Sequence, residues 1–413
     1  MNTKIVYIIV LLLSINTFSQ NNQHIYIDRL KKDVEYLASD KLQGRETGTK
    51  GEKKAAKYIT NQFINYNLKP VFDNSKNYKK NFQQSFSTTI SLNPHEKNKK
   101  TAINGINIIG YCDNQQDETI IIGAHYDHLG YGHKGSLHSG KKEIHNGADD
   151  NASGVSILIN LIDKLCPNPT YNYLFIAFSG EEYGLLGSSY FVKNTPINLN
   201  TVRFMINFDM VGRLNEKNDI AINGVGTSKQ WENLIESTNS LFHFNIKKSN
   251  SGTGPSDHTS FYLQDIPVLH FFTGQHEDYH KPTDDVEKVN FNGMYQILCY
   301  VEKLIHNSSK INNFDFQETI SETTKTPTFN VTLGIMPDYL FDGSGLKIDG
   351  ISKGKTADKY GLLKNDIIIK IGNIQVEDIY DYMEGLSTFK KGEATDITLK
   401  RENKIINLTI TFE

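Results

Sequence analysis

The chain has 413 residues, enough for two or three domains of ordinary size. Its 44 Lys and Arg residues nearly balance its 47 Asp and Glu residues, and the formal charge of -3 excludes the strong basic field typical of nucleic-acid-binding proteins. The three cysteines, Cys112, Cys166 and Cys299, are too few and too widely spaced for a disulfide framework or a CxxC zinc site. At most one bridge is possible, and we expect small buried hydrophobic residues instead.

The first residues have the pattern of an export signal. Lys4 precedes an unbroken apolar run from Ile5 to Leu13, and the small polar residues Thr17 and Ser19 follow it. A transmembrane helix needs about 18 or more apolar residues, so this run is too short to span a membrane. The pattern predicts a signal peptide at residues 1–19 and a secreted or periplasmic protein with no membrane span after cleavage.

The next part of the chain predicts an α/β domain over residues 20–306. Residues 25–68 have helical periodicity, and residues 74–100 are polar and irregular, as in a meander or a flap. Four short apolar runs then suit strands that are covered on both faces, as in a parallel sheet. These runs are Thr119–Gly123, Tyr173–Phe178, Phe204–Phe208 and Ile266–Phe272. A helix is predicted from Val155 to Leu165, so we expect a mixed, largely parallel central sheet flanked by helices.

Polar side chains follow each of the four predicted strands, and functional groups in such sheets gather at the carboxyl ends of the strands. In chain order they are His125 and Asp127, Glu181 and Glu182, Asp209, and His280, with Asp150 on the loop before the predicted helix. Any one of them alone is more often an ordinary surface or capping residue. Several at one edge of one sheet favour a metal site, because imidazole nitrogens and carboxylate oxygens are zinc ligands.

The segments around these residues resemble, in the same order, the motifs of a known family. GAHYDH, HNGADDNASG, SGEE, NFDMVG and YHKPTD are similar to motifs of the zinc-dependent exopeptidases, which include secreted bacterial aminopeptidases, glutamate carboxypeptidase and the transferrin receptor ectodomain. The resemblance extends from about Leu37 to Leu304. It implies two zinc ions: His125 and Asp209 would bind one ion. Glu182 and His280 would bind the other, and Asp150 would bridge the two.

The resemblance also implies the catalytic residues. Glu181 would be the general base that takes a proton from the attacking water, and Asp127 would orient the imidazole of His125. A cis peptide bond is expected between Asp150 and Asn151. The other histidines of this region are expected on a mobile rim, and His258 in a supporting role; the rim residues are His128, His133, His138 and His145.

The C-terminal part predicts a separate unit. Residues 307–328 are rich in Ser, Thr and Asn and are predicted as a linker. Residues 329–413 resemble a bacterial PDZ domain, which would bind extended peptides and capture a terminal carboxylate at Leu333–Gly334–Ile335. Its predicted strands are Leu346–Ile351, Asp366–Ile371 and Ala394–Leu399, and its predicted helix is Tyr380–Leu386.

The expected function is that of a secreted zinc aminopeptidase acting on peptides, with three alternatives. A carboxypeptidase would need an arginine for the substrate carboxylate, and only Arg203 and Arg213 lie near the motifs. A glutaminyl cyclase-type transferase on the same scaffold would use one zinc ion, whereas both His125 and Asp209 are present. A non-catalytic peptide-binding protein would not require the complete set of ligands and the base.

Overall fold

The computed structural model describes residues 23–73, 75–91, 100–132, 135–138, 140–319, 331–338, 341, 343–351, 354–377, 379–402 and 404–412. The predicted signal peptide and His133 lie outside these ranges. Within them, no helix combines the length and the hydropathy that crossing a membrane would require.

The first domain is built on one eight-stranded sheet flanked by helices. Its elements in chain order are α1 (residues 23–37), α2 (Lys50–Asn65), β1 (Gln83–Ser91), β2 (Lys100–Cys112), β3 (Thr119–His125), α3 (Gly154–Leu165), β4 (Asn172–Phe178), α4 (Leu186–Lys193), β5 (Val202–Phe208), β6 (Asp219–Asn223), α5 (Gln230–Asn239), β7 (Asn245–Ser249), α6 (His258–Tyr262), β8 (Val268–Phe272) and α7 (Phe291–Ser308). The strand order is β1-β2-β4-β3-β5-β8-β6-β7. Strands β4, β3, β5 and β8 are parallel, while β2 and β6 run antiparallel to them, so the predicted mixed sheet is confirmed.

Burial on both faces explains the apolar runs of the central strands. Every residue of β3, β4 and β5 is buried. One face of the sheet packs with residues of α1, α2, α3, α5 and α7, and the other packs with residues of α4 and α6. The two apolar layers fix the parallel strands in place, so the carboxyl ends of these strands lie along one edge of the sheet.

The segment predicted as irregular contains β1 and part of β2, which pair antiparallel from Gln83 opposite Ile108 to Ser91 opposite Lys100. Ser, Thr and Gln occupy much of β1, so this edge strand has no continuous apolar run that would predict it.

The expectation that the cysteines are unpaired was wrong for two of them. Cys112 and Cys166 form a disulfide with Cα atoms 5.9 Å apart, and Cys299 is free. The bridge joins the end of β2 to the residue that ends α3. The two positions are 54 residues apart in sequence, and only the packing of α3 on the sheet brings them together.

The second domain has a separate antiparallel sheet and its own apolar core. It contains β9 (Ile335–Pro337), β10 (Leu346–Ile351), α8 (Thr356–Lys359), β11 (Ile367–Ile371), β12 (Ile374–Gln375), α9 (Ile379–Ser387), β13 (Ala394–Arg401) and β14 (Lys404–Thr411). The strand order is β14-β13-β11-β10-β9, with β12 beside β11. Leu333, Ile348, Ile368 and Ile397 are fully buried in its core. The predicted strands and helix of this unit are confirmed.

Candidate metal centre

The parallel strands place the predicted ligands at one edge of the sheet. His125 is the last residue of β3, Asp209 follows β5, and Glu182 follows β4. Asp150 lies on the loop that leads into α3, and His280 lies on the loop after β8. The structure therefore brings all five predicted ligands together from five separate segments.

The two imidazoles face the two oxygens of one carboxylate. His125 Nε2 lies 3.4 Å from Asp150 Oδ1 and 3.2 Å from Asp209 Oδ1. His280 Nε2 lies 3.2 Å from Asp150 Oδ2 and 3.3 Å from Glu182 Oε2. Asp150 is thus positioned between two ligand sets, each with one histidine and one further carboxylate.

These separations are those expected of ligands that share a metal ion. Two ligand atoms on one tetrahedral zinc ion, each bonded at about 2.0–2.1 Å, lie roughly 3.3 Å apart. All four nitrogen–oxygen distances fall between 3.2 and 3.4 Å. The residues therefore fit two zinc ions bridged by Asp150, and the nitrogen and oxygen donors suit that metal.

His128 is part of this centre, although the sequence analysis placed it on a mobile rim. Its side chain is fully buried, and Nδ1 lies 2.7 Å from Glu182 Oε1 and 3.8 Å from Asp150 Oδ2. The 2.7 Å distance is too short for two ligands of one tetrahedral ion, and it is typical of a charge-assisted hydrogen bond. We therefore interpret His128 as the residue that holds Glu182, leaving Oε2 directed at His280.

The rim prediction was also wrong for His145, which is 1% exposed. The ring of His145 contacts the hydroxyl of Ser136 through Nε2 at 2.8 Å. His258 is fully buried, and its ring stacks on that of His270 with centroids 4.6 Å apart.

The spacing of the HYDH segment was the only signal in the sequence that could have placed His128 beside the ligands.

Asp127 connects the predicted base to the first histidine ligand. Its Oδ1 accepts a hydrogen bond from the backbone N–H of Glu181 at 3.2 Å and lies 3.7 Å from His125 Nδ1. Its Oδ2 accepts a hydrogen bond from the Thr47 hydroxyl at 2.9 Å. The backbone carbonyl of Asp127 is closer to His125 Nδ1, at 3.3 Å. The backbone carbonyl of Asp127 is therefore the nearer acceptor for the imidazole of His125, and the carboxylate lies just beyond hydrogen-bond distance of the same nitrogen.

The electrostatic environment of Glu181 suits proton transfer. Burial raises the pKa of Glu181 well above its usual value, His125 opposes the rise, and the negative charges of Asp209 and Glu182 add to it. Glu181 also lines the cavity beside the ligands. A carboxyl group beside such a cavity can accept a proton from water and return it to a leaving group.

Arg45 forms hydrogen bonds to two of the loops that carry predicted ligands, and the sequence analysis did not identify it. The buried guanidinium donates hydrogen bonds to the backbone carbonyls of Tyr126, beside His125, and of Asn146 and Gly147, on the Asp150 loop. Burial lowers the pKa of Arg45 to about 10, and the carboxylates of the centre oppose this shift, Asp150 most strongly. Its positive charge partly offsets their negative charge.

The small and polar residues around Asp150 have specific structural roles. Gly147 has φ +58°, and a Cβ there would lie 2.1 Å from the carbonyl oxygen of Asp150. The Asp150–Asn151 peptide bond is cis, as expected. Asn151 accepts hydrogen bonds from the backbone N–H of Met210 and of Gly154. The Asp150 loop is therefore tied to the segment that carries Asp209.

A cavity of about 690 Å³ opens beside the ligands. Its lining includes apolar residues of the first domain and several residues of the second domain, namely Met210, Ala221, Ile246 and Phe272 of the first and Pro337, Asp338, Phe341 and Lys347 of the second. Neither Arg203 nor Arg213 is among the described residues that line the cavity. Arg203 pairs with Glu118 at 2.7 Å, and Arg213 pairs with Asp278 at 3.0 Å.

Comparisons with known proteins agree with this geometry. Residues 107–304 match the family described as peptidase family M28, and residues 322–412 match the PDZ domain family. Aminopeptidase YwaD of Bacillus subtilis is 30% identical over 175 residues, which cover 40% of this chain and 38% of that protein. The chain thus aligns with less than half the length of this relative.

Two solved structures have the same fold. A Zn-dependent exopeptidase from Parabacteroides distasonis superposes with a TM-score of 0.53 at 17% identity, covering 68% of this chain and 98% of that one. A glutaminyl cyclase from Porphyromonas gingivalis superposes with a TM-score of 0.54 at 15% identity, covering 68% and 98%. The sequence matches show that this chain contains a domain of peptidase family M28, which is a zinc exopeptidase family, followed by a PDZ domain.

Proposed function

We propose that this protein is an exported di-zinc aminopeptidase that removes N-terminal residues from peptides. The observation that carries the proposal is the pair of ligand sets on Asp150, in which four nitrogen–oxygen distances of 3.2–3.4 Å match shared coordination. The aminopeptidase relatives of the first domain agree with this activity.

Zinc ions held by His125, Asp209, Asp150, Glu182 and His280 would polarise the scissile carbonyl and activate a water molecule. Glu181 accepts the proton of the attacking water on its carboxylate and returns it to the leaving amine. The backbone hydrogen bond to Asp127 fixes the position of Glu181 during both transfers. His128 keeps Glu182 directed at His280 throughout.

Neither arginine near the motifs is placed to bind a substrate carboxylate in the cavity. Both candidate arginines are engaged in ion pairs elsewhere, whereas Glu181 and Asp209 face the cavity. A carboxypeptidase would need a cation placed beside the ligands for the substrate carboxylate. Cyclisation of N-terminal glutamine on the same fold is the second candidate, and the complete second ligand set argues against it.

The disulfide supports export. Bridges such as Cys112–Cys166 persist in oxidising compartments and are rare in the reducing cytosol. The bridge and the predicted signal peptide therefore agree on a secreted or periplasmic location.

The decisive variant is Glu181→Gln, with Glu277→Gln as its matched control, because Glu277 is exposed. Loss of the proton acceptor should lower kcat by about 10²- to 10⁴-fold, while two zinc ions per chain remain bound. The measurements are hydrolysis of leucine p-nitroanilide and metal content by mass spectrometry. Retention of a tenth of the activity in Glu181→Gln would refute the role of Glu181.

A panel of dipeptides with the amine or the carboxylate blocked separates the alternatives. An aminopeptidase requires the free amine, and N-acetylation should abolish cleavage. A requirement for the free carboxylate of a dipeptide, with tolerance of a blocked amine, would establish a carboxypeptidase instead. Formation of pyroglutamate from glutaminyl substrates without hydrolysis would establish a cyclase.

A further inference from the structure

The turn that carries Glu181 and Glu182 is attached on both sides to a distant segment of the chain. This turn, residues 179–185, follows β4 and leads into α4, and it is called the base turn below. The backbone N–H groups of Gly184 and Leu185 donate hydrogen bonds to the carbonyl of Glu181, at 2.7 and 3.0 Å. These local bonds fix the shape of the base turn but not its position relative to the metal ligands.

The first attachment is at Ser179, the residue that follows β4. The Ser179 hydroxyl donates a hydrogen bond to Glu52 Oε1 at 2.5 Å, and both residues are fully buried. Glu52 also accepts hydrogen bonds from the backbone N–H of Gly48 at 2.8 Å and of Ile106 at 3.2 Å. A buried carboxylate with three donors is held in one orientation, because each lost hydrogen bond would leave a buried polar group unsatisfied. Glu52 therefore connects the start of the base turn to α2 and β2.

A second carboxylate holds the other side of the base turn. The hydroxyl of Tyr183, the residue after Glu182, donates a hydrogen bond to Glu46 Oε1 at 2.7 Å. The Glu46 side chain lies against the backbone of Gly130, where φ is +60° and a Cβ would come within 2.6 Å of Glu46 Oε2. A larger residue at position 130 would displace this carboxylate. The base turn is therefore attached at Tyr183 as well as at Ser179.

The middle of the base turn is attached to the same segment through Asp127. The backbone N–H of Glu181 donates a hydrogen bond to one oxygen of Asp127, and the Thr47 hydroxyl donates to the other. The three anchoring residues, Glu46, Thr47 and Glu52, lie within seven consecutive positions of the sequence. They thus hold the chain before, at and after Glu181.

Segment 46–52 is itself fixed by the helix that it begins. The side chain of Thr49 caps α2 by accepting hydrogen bonds from two backbone N–H groups of the first turn. Further along the same helix, Ile59 and Phe63 are fully buried in the core of the first domain. The anchoring residues are therefore held by the core and not by the rim of the cavity.

We propose that Glu46, Thr47 and Glu52 form a positioning element that sets the place of the Glu181 carboxylate relative to the metal centre. This inference rests on the proposed role of Glu181 as the general base. Proton transfer requires the base within hydrogen-bond distance of the attacking water, and a displacement of about 1 Å can cost about 100-fold in rate. The anchoring residues therefore act on turnover through the base turn.

The test removes one hydroxyl on each side of the base turn. Ser179→Ala and Tyr183→Phe leave the rest of each side chain in place, and neither residue is among the described residues that line the cavity. Each variant should lower kcat for leucine p-nitroanilide about ten-fold, with KM within about two-fold of the native value and the metal content unchanged. Tyr300→Phe is the matched control, because its buried hydroxyl donates to the Ile235 carbonyl between α7 and α5. Its kcat should be unchanged.

The same changes in the Glu181→Gln background distinguish positioning from a general loss of folded enzyme. Tyr183→Phe should change the residual kcat of Glu181→Gln by less than about two-fold, because no base remains to be placed. A further loss of about ten-fold in that background would overturn the inference, and so would native kcat in both single variants. Glu46→Ala should lower kcat as Tyr183→Phe does, without additivity between the two, and additive losses would contradict the role of Glu46.

Hydrogen–deuterium exchange measured by mass spectrometry separates this inference from the proposed function. Ser179→Ala and Tyr183→Phe should speed amide exchange in residues 179–185 by at least about three-fold, while exchange in β3 and β5 stays native. If the native protein does not cleave leucine p-nitroanilide, the proposed function fails. Faster exchange confined to the base turn would then still support its attachment to segment 46–52, whereas unchanged exchange in both variants would contradict it.

Discussion

At the scale of single residues, the distance to Glu182 distinguishes the roles of two histidines. His280 lies 3.3 Å from one oxygen of Glu182, as a second ligand of the same metal ion would, whereas His128 lies 2.7 Å from the other oxygen. The shorter contact is a hydrogen bond, and partners of this kind orient a ligand without coordinating the metal. Glu182 is therefore held on both sides, once by each histidine.

This assignment makes a prediction for His128. His128→Ala should weaken zinc binding at the Glu182 site by about 10- to 100-fold, because the ligand loses the group that orients it. His128→Asn keeps a donor at the position of Nδ1 and should retain most of the affinity. Zinc titration against a chromogenic chelator measures both variants. Equal loss in the two variants, down to one zinc ion per chain, would identify His128 as a ligand instead.

At the scale of elements, one buried carboxylate joins three helices. Asp33 of α1 accepts hydrogen bonds from the Tyr58 hydroxyl of α2 at 2.6 Å and from Asn160 Nδ2 of α3 at 2.8 Å. Burial raises the pKa of Asp33 to about 6, and the two hydrogen bonds oppose that rise. The helices are therefore connected through a carboxyl group that keeps its proton to a higher pH in the folded protein than in the unfolded chain.

The raised pKa gives a pH dependence of stability with a definite sign. The folded protein binds the Asp33 proton more tightly than the unfolded chain, so this contribution is complete below about pH 4 and is lost as the pH rises to about 6. A shift of about two pKa units corresponds to at most roughly 3 kcal/mol. Asp33→Asn should remove this decline, because an amide side chain does not titrate.

Urea unfolding of the native protein and of Asp33→Asn at pH 4, 5, 6 and 7 measures this effect. The difference in free energy of unfolding, variant minus native, should increase with pH over this range. A difference that stays constant from pH 4 to pH 7 would show that folding does not raise the pKa of Asp33.

The elements also differ in how well local sequence predicted them. Strands β3, β4, β5 and β8 were predicted because burial on both faces leaves continuous apolar runs. The β1–β2 pair was missed because an edge strand with Ser, Thr and Gln has no such run. The ligand types were predicted, since they follow strand ends. His128 and Arg45 were not recognised, because their roles depend on partners about 54 to 102 positions away.

At the scale of the whole molecule, the segment between the two domains packs on the first domain. The ring of Phe314 lies 4.5 Å from that of Trp231 and 5.0 Å from that of Phe204. The backbone N–H of Thr319 donates a hydrogen bond to the Tyr262 hydroxyl at 2.9 Å. These contacts fix the path of the chain as it leaves the peptidase domain.

Phe314→Ala should lower the free energy of unfolding of the first domain by about 1–3 kcal/mol, because a partly buried aromatic cluster is lost. Trp231 is the single tryptophan of the chain and is fully buried, so its fluorescence reports on this contact. We expect a red-shifted emission in Phe314→Ala under native conditions, and Phe341→Ala serves as an aromatic control in the second domain. An unchanged emission spectrum would contradict the packing of residue 314 on Trp231.

Apolar runs in short segments were sufficient to predict the fold class, and the resemblance of short motifs to known families was sufficient to predict a peptidase domain and a PDZ domain. Tertiary structure alone decided the distance of each histidine from Glu182, and which cysteines pair. It also placed the end of β9 at the cavity beside the predicted metal ligands. These features depend on distances between elements that are far apart in sequence, and such distances are set by packing.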